Sequence, residues 1–201
     1  RRRLFVAKPS HVSEEEDCAK QILSTLMRRA YRRPVADGDM AGPMAFFREG
    51  RAEGNFDTGI ERALTAVLVS PEFLFRFELD PADTPSGSAR RIRDIELASR
   101  LSFFLWSRIP DDELLDLAAR GVLHQPDILQ SQVTRMLQDP RAKALSENFA
   151  RQWLQLDRLI SAQPDIERFV TFYSRMGCEY WGLGSHMMLE PLLVFERIQV
   201  E

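Results

Sequence analysis

The sequence predicts an all-α fold. Three observations carry that expectation: apolar side chains recur every three or four positions through most segments, no window of four to eight residues alternates like a strand between hairpin turns, and segment ends carry helix caps and prolines. The connections are short, which favours antiparallel neighbours. Two small packed helical modules joined by a short Pro/Ser/Gly linker are therefore expected.

The first helix spans residues 13 to about 31, with Ile22, Leu23, Leu26, Met27 and Ala30 at helical spacing. Ser13 and Glu16 have the spacing of a capping box, and Glu14, Glu15 and Glu16 suit the positive end of the helix dipole. Arg28, Arg29, Arg32 and Arg33 gather at the negative end, and Pro34 stops the helix. A second helix over 37–53 is marked by Met40, Met44 and Phe47, but Gly38, Gly42 and Pro43 oppose it. An interior proline costs ~3 kcal/mol, so this helix is expected to start late, near Pro43, or to kink there. Asp57 is the expected cap of a third helix, with Ile60, Ala63, Leu64, Val67 and Leu68 on one face. Ser70-Pro71 breaks it before Phe73, Phe75 and Phe77, three rings that need a partner surface.

Residues 80–91 are rich in turn formers and hold no large apolar side chain before Arg90-Arg91, which marks them as the linker. Beyond it Asp94 is expected to cap a helix carrying Leu97, Leu101, Phe104 and Leu105 and ending near Trp106. Pro110, Asp111, Asp112 and Glu113 open the next helix, which Gly121 closes in the left-handed conformation. Pro126 begins another, with Leu129, Val133, Met136 and Leu137 inward. Asp139-Pro140 is a cap followed by proline, ahead of the apolar stripe Leu145, Phe149, Trp153 and Leu156. The resulting organisation is an N-terminal extension over 1–12, a first helical domain over 13–79, the linker over 80–91, and a second helical domain over 92–201, truncated at its C-terminus.

Composition narrows the class. The 201 residues are 44% hydrophobic and 28% charged, with a net charge of −3, so there is no global basic field of the kind nucleic-acid binders use. No stretch reaches the ~18–20 apolar residues of a membrane span, and the Arg-rich opening is too short and too charged for a signal peptide. The chain begins with Arg and its last apolar run has no clear cap, so it reads as a piece of a longer protein. Cys18 and Cys178 make no disulfide framework, zinc knuckle or CxxC pair, and neither belongs to the C-x-x-C-H that attaches haem c.

No residue is assigned as catalytic, cofactor-binding or metal-binding. Arg28, Arg29, Arg32 and Arg33 have the charge to contact phosphates, yet they suit a helix C-terminus and no aromatic residues interleave with them, so no nucleic-acid partner is expected. Asp111, Asp112 and Glu113 are the residue types of an acid/base or metal cluster, but consecutive acids after a proline at a helix start serve first as cap and dipole residues. His11, His124 and His186 are scattered and make no metal-ligand spacing. Ser185-His186-Met187-Met188 holds two haem-ligating residue types, and adjacent residues cannot reach one iron from opposite faces. No GxSxG, Walker A or GxGxxG motif occurs. The aromatic groups Phe73, Phe75 and Phe77, then Phe103, Phe104 and Trp106, then Phe149 and Trp153, sit at helical spacing and are expected in the core rather than on a stacking platform.

Several strings carry a family resemblance. They are Ile22 to Leu26 with Arg29-Ala30-Tyr31-Arg32-Arg33-Pro34; Leu68-Val69-Ser70-Pro71-Glu72-Phe73-Leu74-Phe75-Arg76; Glu96 through Ser107; Ile109 through Ala119; and Asn148-Phe149-Ala150 with Gln152-Trp153-Leu154. Over about residues 1–169 the chain resembles planctomycete-type, cytochrome-c-associated multidomain proteins, in which two adjacent helical domains of unknown function precede a haem-c-type module. The resemblance implies a periplasmic or secreted protein, with haem c expected only in downstream domains and no cofactor in this part. It names the downstream domains of the same chain and redox proteins as partners. Relatives often carry Cys where Ala7 stands here and a second where Cys18 stands. From Val170 to Met188 the sequence departs from the family pattern, being aromatic, Gly-rich and aperiodic, which suggests a local reading-frame disturbance and predicts a poorly packed segment.

The expected role is a non-catalytic helical scaffold or docking module. Two rivals remain: part of an oxidoreductase or hydrolase whose site is completed by missing domains, and a polymer-binding module. Convergent ionisable groups in a pocket would favour the enzyme, an exposed aromatic row the polymer, and a broad apolar face towards the end of the chain docking.

Overall fold

The computed structural model describes residues 6–76, 78, 91–162, 165, 167–170 and 180–200, and no strand occurs among them. The helices are α1 (Glu15–Ala30), α2 (Asp37–Glu53), α3 (Phe56–Leu68), α4 (Pro71–Leu74), α5 (Asp94–Trp106), α6 (Asp112–Ala119) and α7 (Pro126–Gln138). Three more follow: α8 (Arg151–Trp153), α9 (Asp157–Ser161) and α10 (Tyr180–Val200). Short 3₁₀ turns occupy Val12–Glu14 and Pro140–Ala142, and a π-helical turn runs over Leu145–Ala150. The expected linker, except for Arg91, lies outside the described residues, as do Phe77 and Cys178.

The chain divides into two compact units, one of residues 1–100 with 109–125 and one of residues 101–108 with 126–201, so that α5 gives its N-terminal part to the first and its C-terminal part to the second. In the first unit α1, α2 and α3 close around Ile22, Leu23, Met27, Phe47, Ile60, Ala63 and Val67, all buried, with Tyr31 and Phe73 packed at the margin. Burial of such side chains contributes ~1.5–3 kcal/mol each. Arg48 pairs with Glu16 and Arg51 with Glu15, holding α2 to α1.

The tightest contact lies between α2 and α3. A Cβ added at Gly59 would stand 2.8 Å from both the ring and the carbonyl oxygen of Phe47, and one at Gly50 would stand 2.8 Å from the carbonyl oxygen of Thr58. Two glycines therefore let the backbones approach, and Phe47 fills the space and meets Phe56 edge to face.

Several helix starts differ from expectation. No Ser13–Glu16 box forms: α1 starts at Glu15, the Glu14 carboxylate accepts from the Ser10 N–H at 2.8 Å, and Glu16 is engaged by Arg48. Helix α2 begins at Asp37 rather than near Pro43, because Asp39 reaches back to accept the Ala36 N–H at 2.7 Å while Arg33 grips the same carboxylate. Pro43 lies buried inside that helix. Asn55, not Asp57, caps α3 by accepting from the Thr58 N–H. Leu68, expected on the inner face of α3, is largely exposed. Asp94 lies within α5 and turns to His124, so Glu96 takes the capping role and accepts from the Arg93 N–H at 2.9 Å. The expected caps Ser70, Asp111 and Asp139 accept from the N–H groups of Phe73, Leu114 and Arg141, and Gly121 has φ 67°.

In the second unit Trp106 is fully buried, donates its indole N–H to the Met136 carbonyl at 2.9 Å, and lies under the Arg141 guanidinium, 3.5 Å from its centroid. Arg141 also binds Asp139, and that contact pulls the Asp139 pKa down to about 2. A separate cluster joins Ala150, Leu156 and Leu192, with Leu159, Met188 and Phe195 against it. The chain is thus helical over Tyr180–Val200, including the last part of the stretch expected to be poorly packed; residues 171–179 lie outside the described residues.

Gly59→Ala should lower the unfolding free energy by about 1–3 kcal/mol through overpacking against Phe47. Gly42→Ala, at a helical position with open space around it, should raise stability by up to ~1 kcal/mol. Urea melts of the two variants check the contrast, and similar midpoints would contradict the close-approach account.

Candidate functional site

Helix α1 does not end on glycine. Arg32 takes the left-handed conformation with φ 57°, which for a residue bearing a Cβ costs ~1–2 kcal/mol. Its side chain is almost wholly buried, at 7% exposure, and its guanidinium donates to four carbonyls: Ala30 at 3.0 Å, Phe73 at 3.2 Å, Glu72 at 2.9 Å and Phe75 at 2.8 Å. Three of these belong to α4 and its exit, where a four-residue helix leaves carbonyls without intrahelical partners. Arg32 therefore pins the segment after α3 to the end of α1.

Around that clamp lies a cavity of about 650 Å³, within the range of small-molecule sites. Arg32, Arg33, Arg76, Arg93 and Arg100 line it. Glu72, Glu78 and Glu96 oppose them, with Tyr31, Phe75 and Ile95 as apolar surface and Ser99 on α5. Most of the charges are matched. Arg33 makes a two-pronged contact with Asp39 at 2.6 and 2.9 Å, Arg93 binds Glu96 at 2.7 Å, and Arg100 Nε donates to Glu78 at 2.7 Å. Arg32 has carbonyl dipoles around it instead, and burial, reinforced by the nearby charge of Arg76, pushes its pKa below the ordinary guanidinium value. The Asp39 carboxyl is held below the usual range by its hydrogen bonds from Arg33. Ser99 Oγ is buried and has no hydrogen-bond partner in the structure.

The basic cluster at the end of α1 is distributed over internal partners: Arg28 reaches Asp116, Arg29 binds Asp112 at 2.6 Å, Arg32 holds α4 and Arg33 holds Asp39. Asp112, one of the three consecutive acids, thus pairs with an arginine 83 positions away, while Asp111 caps α6. His11 and His186 are exposed, and His124 Nδ1 lies 3.0 Å from Asp94. Met187 is 46% exposed beside His186, and Cys18 is a free thiol within α1. Among the described residues no three His, Cys, Asp or Glu side chains gather into a metal-holding group.

The expected aromatic core is only partly realised. Trp106 is buried, but Phe75, Phe104, Phe149 and Trp153 are 58%, 52%, 40% and 64% exposed. In the second unit Phe149 stacks on Trp153 at 5.7 Å and meets Phe104 edge to face at 5.3 Å. For Phe149 and Trp153 the π-helical turn explains the miss, since its wider hydrogen-bond spacing breaks the 3.6-residue register that would have placed them with Leu145 and Leu156. Sequence reading did not single out Ser99, Arg93 or Arg100, because a cavity assembled from segments some sixty positions apart leaves no local spacing signal.

The family model PSD4, described as a protein of unknown function (DUF1592), matches residues 92–201, and PSD5, described as a protein of unknown function (DUF1595), matches residues 18–78. No curated protein and no solved structure is matched. The cavity draws residues from both matched regions, all within the first compact unit.

Two outcomes follow from the clamp. Arg32→Met should destabilise the chain by about 2–4 kcal/mol in urea melts, because buried carbonyls lose their donors, and Arg32→Lys should recover only a small part, since one ammonium cannot reproduce the fork. Wild-type stability in all three proteins would refute the clamp. Asp39 has a depressed pKa in the folded state, so its contribution is present above the unfolded-state value near ~3.9 and is lost as pH falls through the folded value. An Asp39→Asn variant should be less stable at neutral pH and show a flatter stability curve as pH falls below ~4; parallel curves by circular dichroism would count against the Arg33–Asp39 contact.

Proposed function

The chain belongs to the PSD4 family, proteins of unknown function whose model spans more than half of it, with a PSD5 region ahead; on that footing we propose that it is a helical scaffold and docking module of a larger extracytoplasmic cytochrome-c-type protein. The observation that supports this reading is the outer face of α10. Leu192, Met188 and Phe195 pack inward, while Met187, Val194 and Ile198 lie 46%, 54% and 69% exposed. Their spacing, together with Pro191, gives offsets of four, seven and eleven from Met187, which is one continuous stripe of a helix. A helix with a second apolar stripe in water is an interaction surface. The occupant in this reading is a haem-c-bearing domain of the same protein. No helix among the described residues is long and apolar enough to cross a membrane.

A specific observation favours a second reading. The Phe104, Phe149 and Trp153 rings form an exposed row, and the Asn148 amide donates to Ser107 Oγ at 2.7 Å beside it. Stacked aromatic faces with polar neighbours suit the apolar faces of sugar rings, as a polymer-binding module requires.

Both readings are tested on the full-length gene product. Docking predicts covalently attached haem in that product, and it predicts that after mild proteolysis the haem-bearing fragment co-elutes with this module. The pair Val194→Asp and Ile198→Asp should separate the fragments without unfolding either. A product without haem, or co-elution unaffected by the charges, overturns docking. Trp153→Ala should leave co-elution intact, and it should abolish retardation in polysaccharide gels only if the polymer reading holds.

A further inference from the structure

Two contacts run side by side between the end of α5 and the π-helical turn, one from ring to ring and one from hydroxyl to amide. Phe104 meets Phe149 edge to face, and Phe149 lies within 20° of parallel to Trp153, so the three rings form one surface that remains largely in water. Beside it the Asn148 amide donates to Ser107 Oγ at 2.7 Å. That bond uses one of the two amide N–H groups and leaves the amide carbonyl free to accept, while Ser107, as the acceptor, keeps its own proton to give. Both side chains are exposed. Ser107 holds this position with φ 52°, a strained conformation for a residue bearing a Cβ, and such strain persists where the surroundings fix it. The charges along the π-helical turn and its exit are engaged with one another, Lys143 with Glu147 and Arg151 with Asp157, and the exposed Gln152 beside Trp153 is uncharged. Arg108, exposed next to Ser107, is the one feature at this edge that would suit an acidic ligand.

On the polymer-binding reading of these rings, we infer that the surface takes an uncharged polysaccharide of the glucan class, with Trp153 as the stacking face and Asn148 and Ser107 as the groups that read its hydroxyls. A sugar ring whose hydroxyls are all equatorial presents a flat face of C–H groups, and those weakly positive hydrogens suit the negative face of an indole. An axial hydroxyl, as in a galactose-type ring, stands out of that face and lifts it from the indole. The hydroxyls at the rim each donate and accept, and an amide with a free carbonyl and a free N–H matches two neighbouring hydroxyls. The rings and the amide are already ordered by their contacts with one another, so little conformational entropy is lost when a sugar binds.

The test uses the 201-residue chain. It is run in native gels containing hydroxyethyl cellulose, a neutral galactan or alginate, and titrated with cellohexaose by calorimetry. Retardation should be strongest in hydroxyethyl cellulose and weakest in alginate. Trp153→Ala should abolish it, and Trp153→Phe, which keeps a ring, should restore part of it. Asn148→Ala should weaken cellohexaose binding by about tenfold, the effect of losing two neutral hydrogen bonds, and thermal melts of each variant confirm that it is folded. No retardation in any of the three gels overturns the polymer reading and the glucan assignment together. Retardation by galactan or alginate that equals or exceeds that by hydroxyethyl cellulose, and is lost in Trp153→Ala, keeps the polymer reading and overturns the glucan assignment, as does wild-type affinity for cellohexaose in Asn148→Ala.

Discussion

The first unit depends on one buried guanidinium. Helix α1 ends on an arginine in a conformation that glycine adopts freely, and the strain of that turn is offset because it aims the Arg32 side chain into the orphan carbonyls of α4. Glycine there would relieve the backbone and remove the donors that the carbonyls of Glu72, Phe73 and Phe75 accept from. Strain concentrated at one residue and over-determined by its surroundings is the pattern found at sites that must be kept rigid. The cavity is a by-product of that rigidity: once the 71–76 segment is fixed against α1, its side chains and those of α5 face a common space.

Long-range arginine–carboxylate pairs carry the next level of organisation. Arg28 and Arg29 engage Asp116 and Asp112, and Arg100 engages Glu78, so residues from the PSD5 match and from the beginning of the PSD4 match share one compact unit. Exposed pairs of this kind contribute little to stability individually. Their value here is in register: each joins groups far apart in the chain, Arg28 and Arg29 at the end of α1 to Asp116 and Asp112 on α6. On α6 itself Leu114, Leu115 and Ala118 are buried, and that burial supplies the larger energy.

Much of the fold was legible because helix periodicity and proline placement are local signals. The first unit's core, the breaks at Pro34 and Ser70-Pro71, and the left-handed Gly121 could be read from spacing alone. Cap identity was less legible. Any of several polar residues can cap a given helix, and tertiary partners decide which is free: Asp94 was taken by His124, leaving Glu96 to cap α5. Proline in α2 misled because the propensity argument omits what Asp39 and Arg33 add at the helix start. The aromatic stripe misled for a different reason, since a π-helical turn changes the angular period and no residue type announces it. The cavity was illegible, because Arg76, Arg93, Ser99 and Arg100 acquire meaning only when α4 and α5 are brought together.

What each unit leaves exposed bears on function more than an inventory of its core does. In the first unit the core is closed around α1, α2 and α3, while Val69, Leu74 and Phe75 stand exposed at its edge and the buried Arg32 guanidinium is satisfied by four carbonyls. In the second unit the outstanding groups are apolar and exposed, the rings of Phe104, Phe149 and Trp153 and the stripe on α10, and water cannot satisfy them. Surfaces of that kind are relieved only by a large partner, because burial scales with area removed from water. Docking is therefore a question of area, and in the second unit that area is offered by the exposed rings and the α10 stripe.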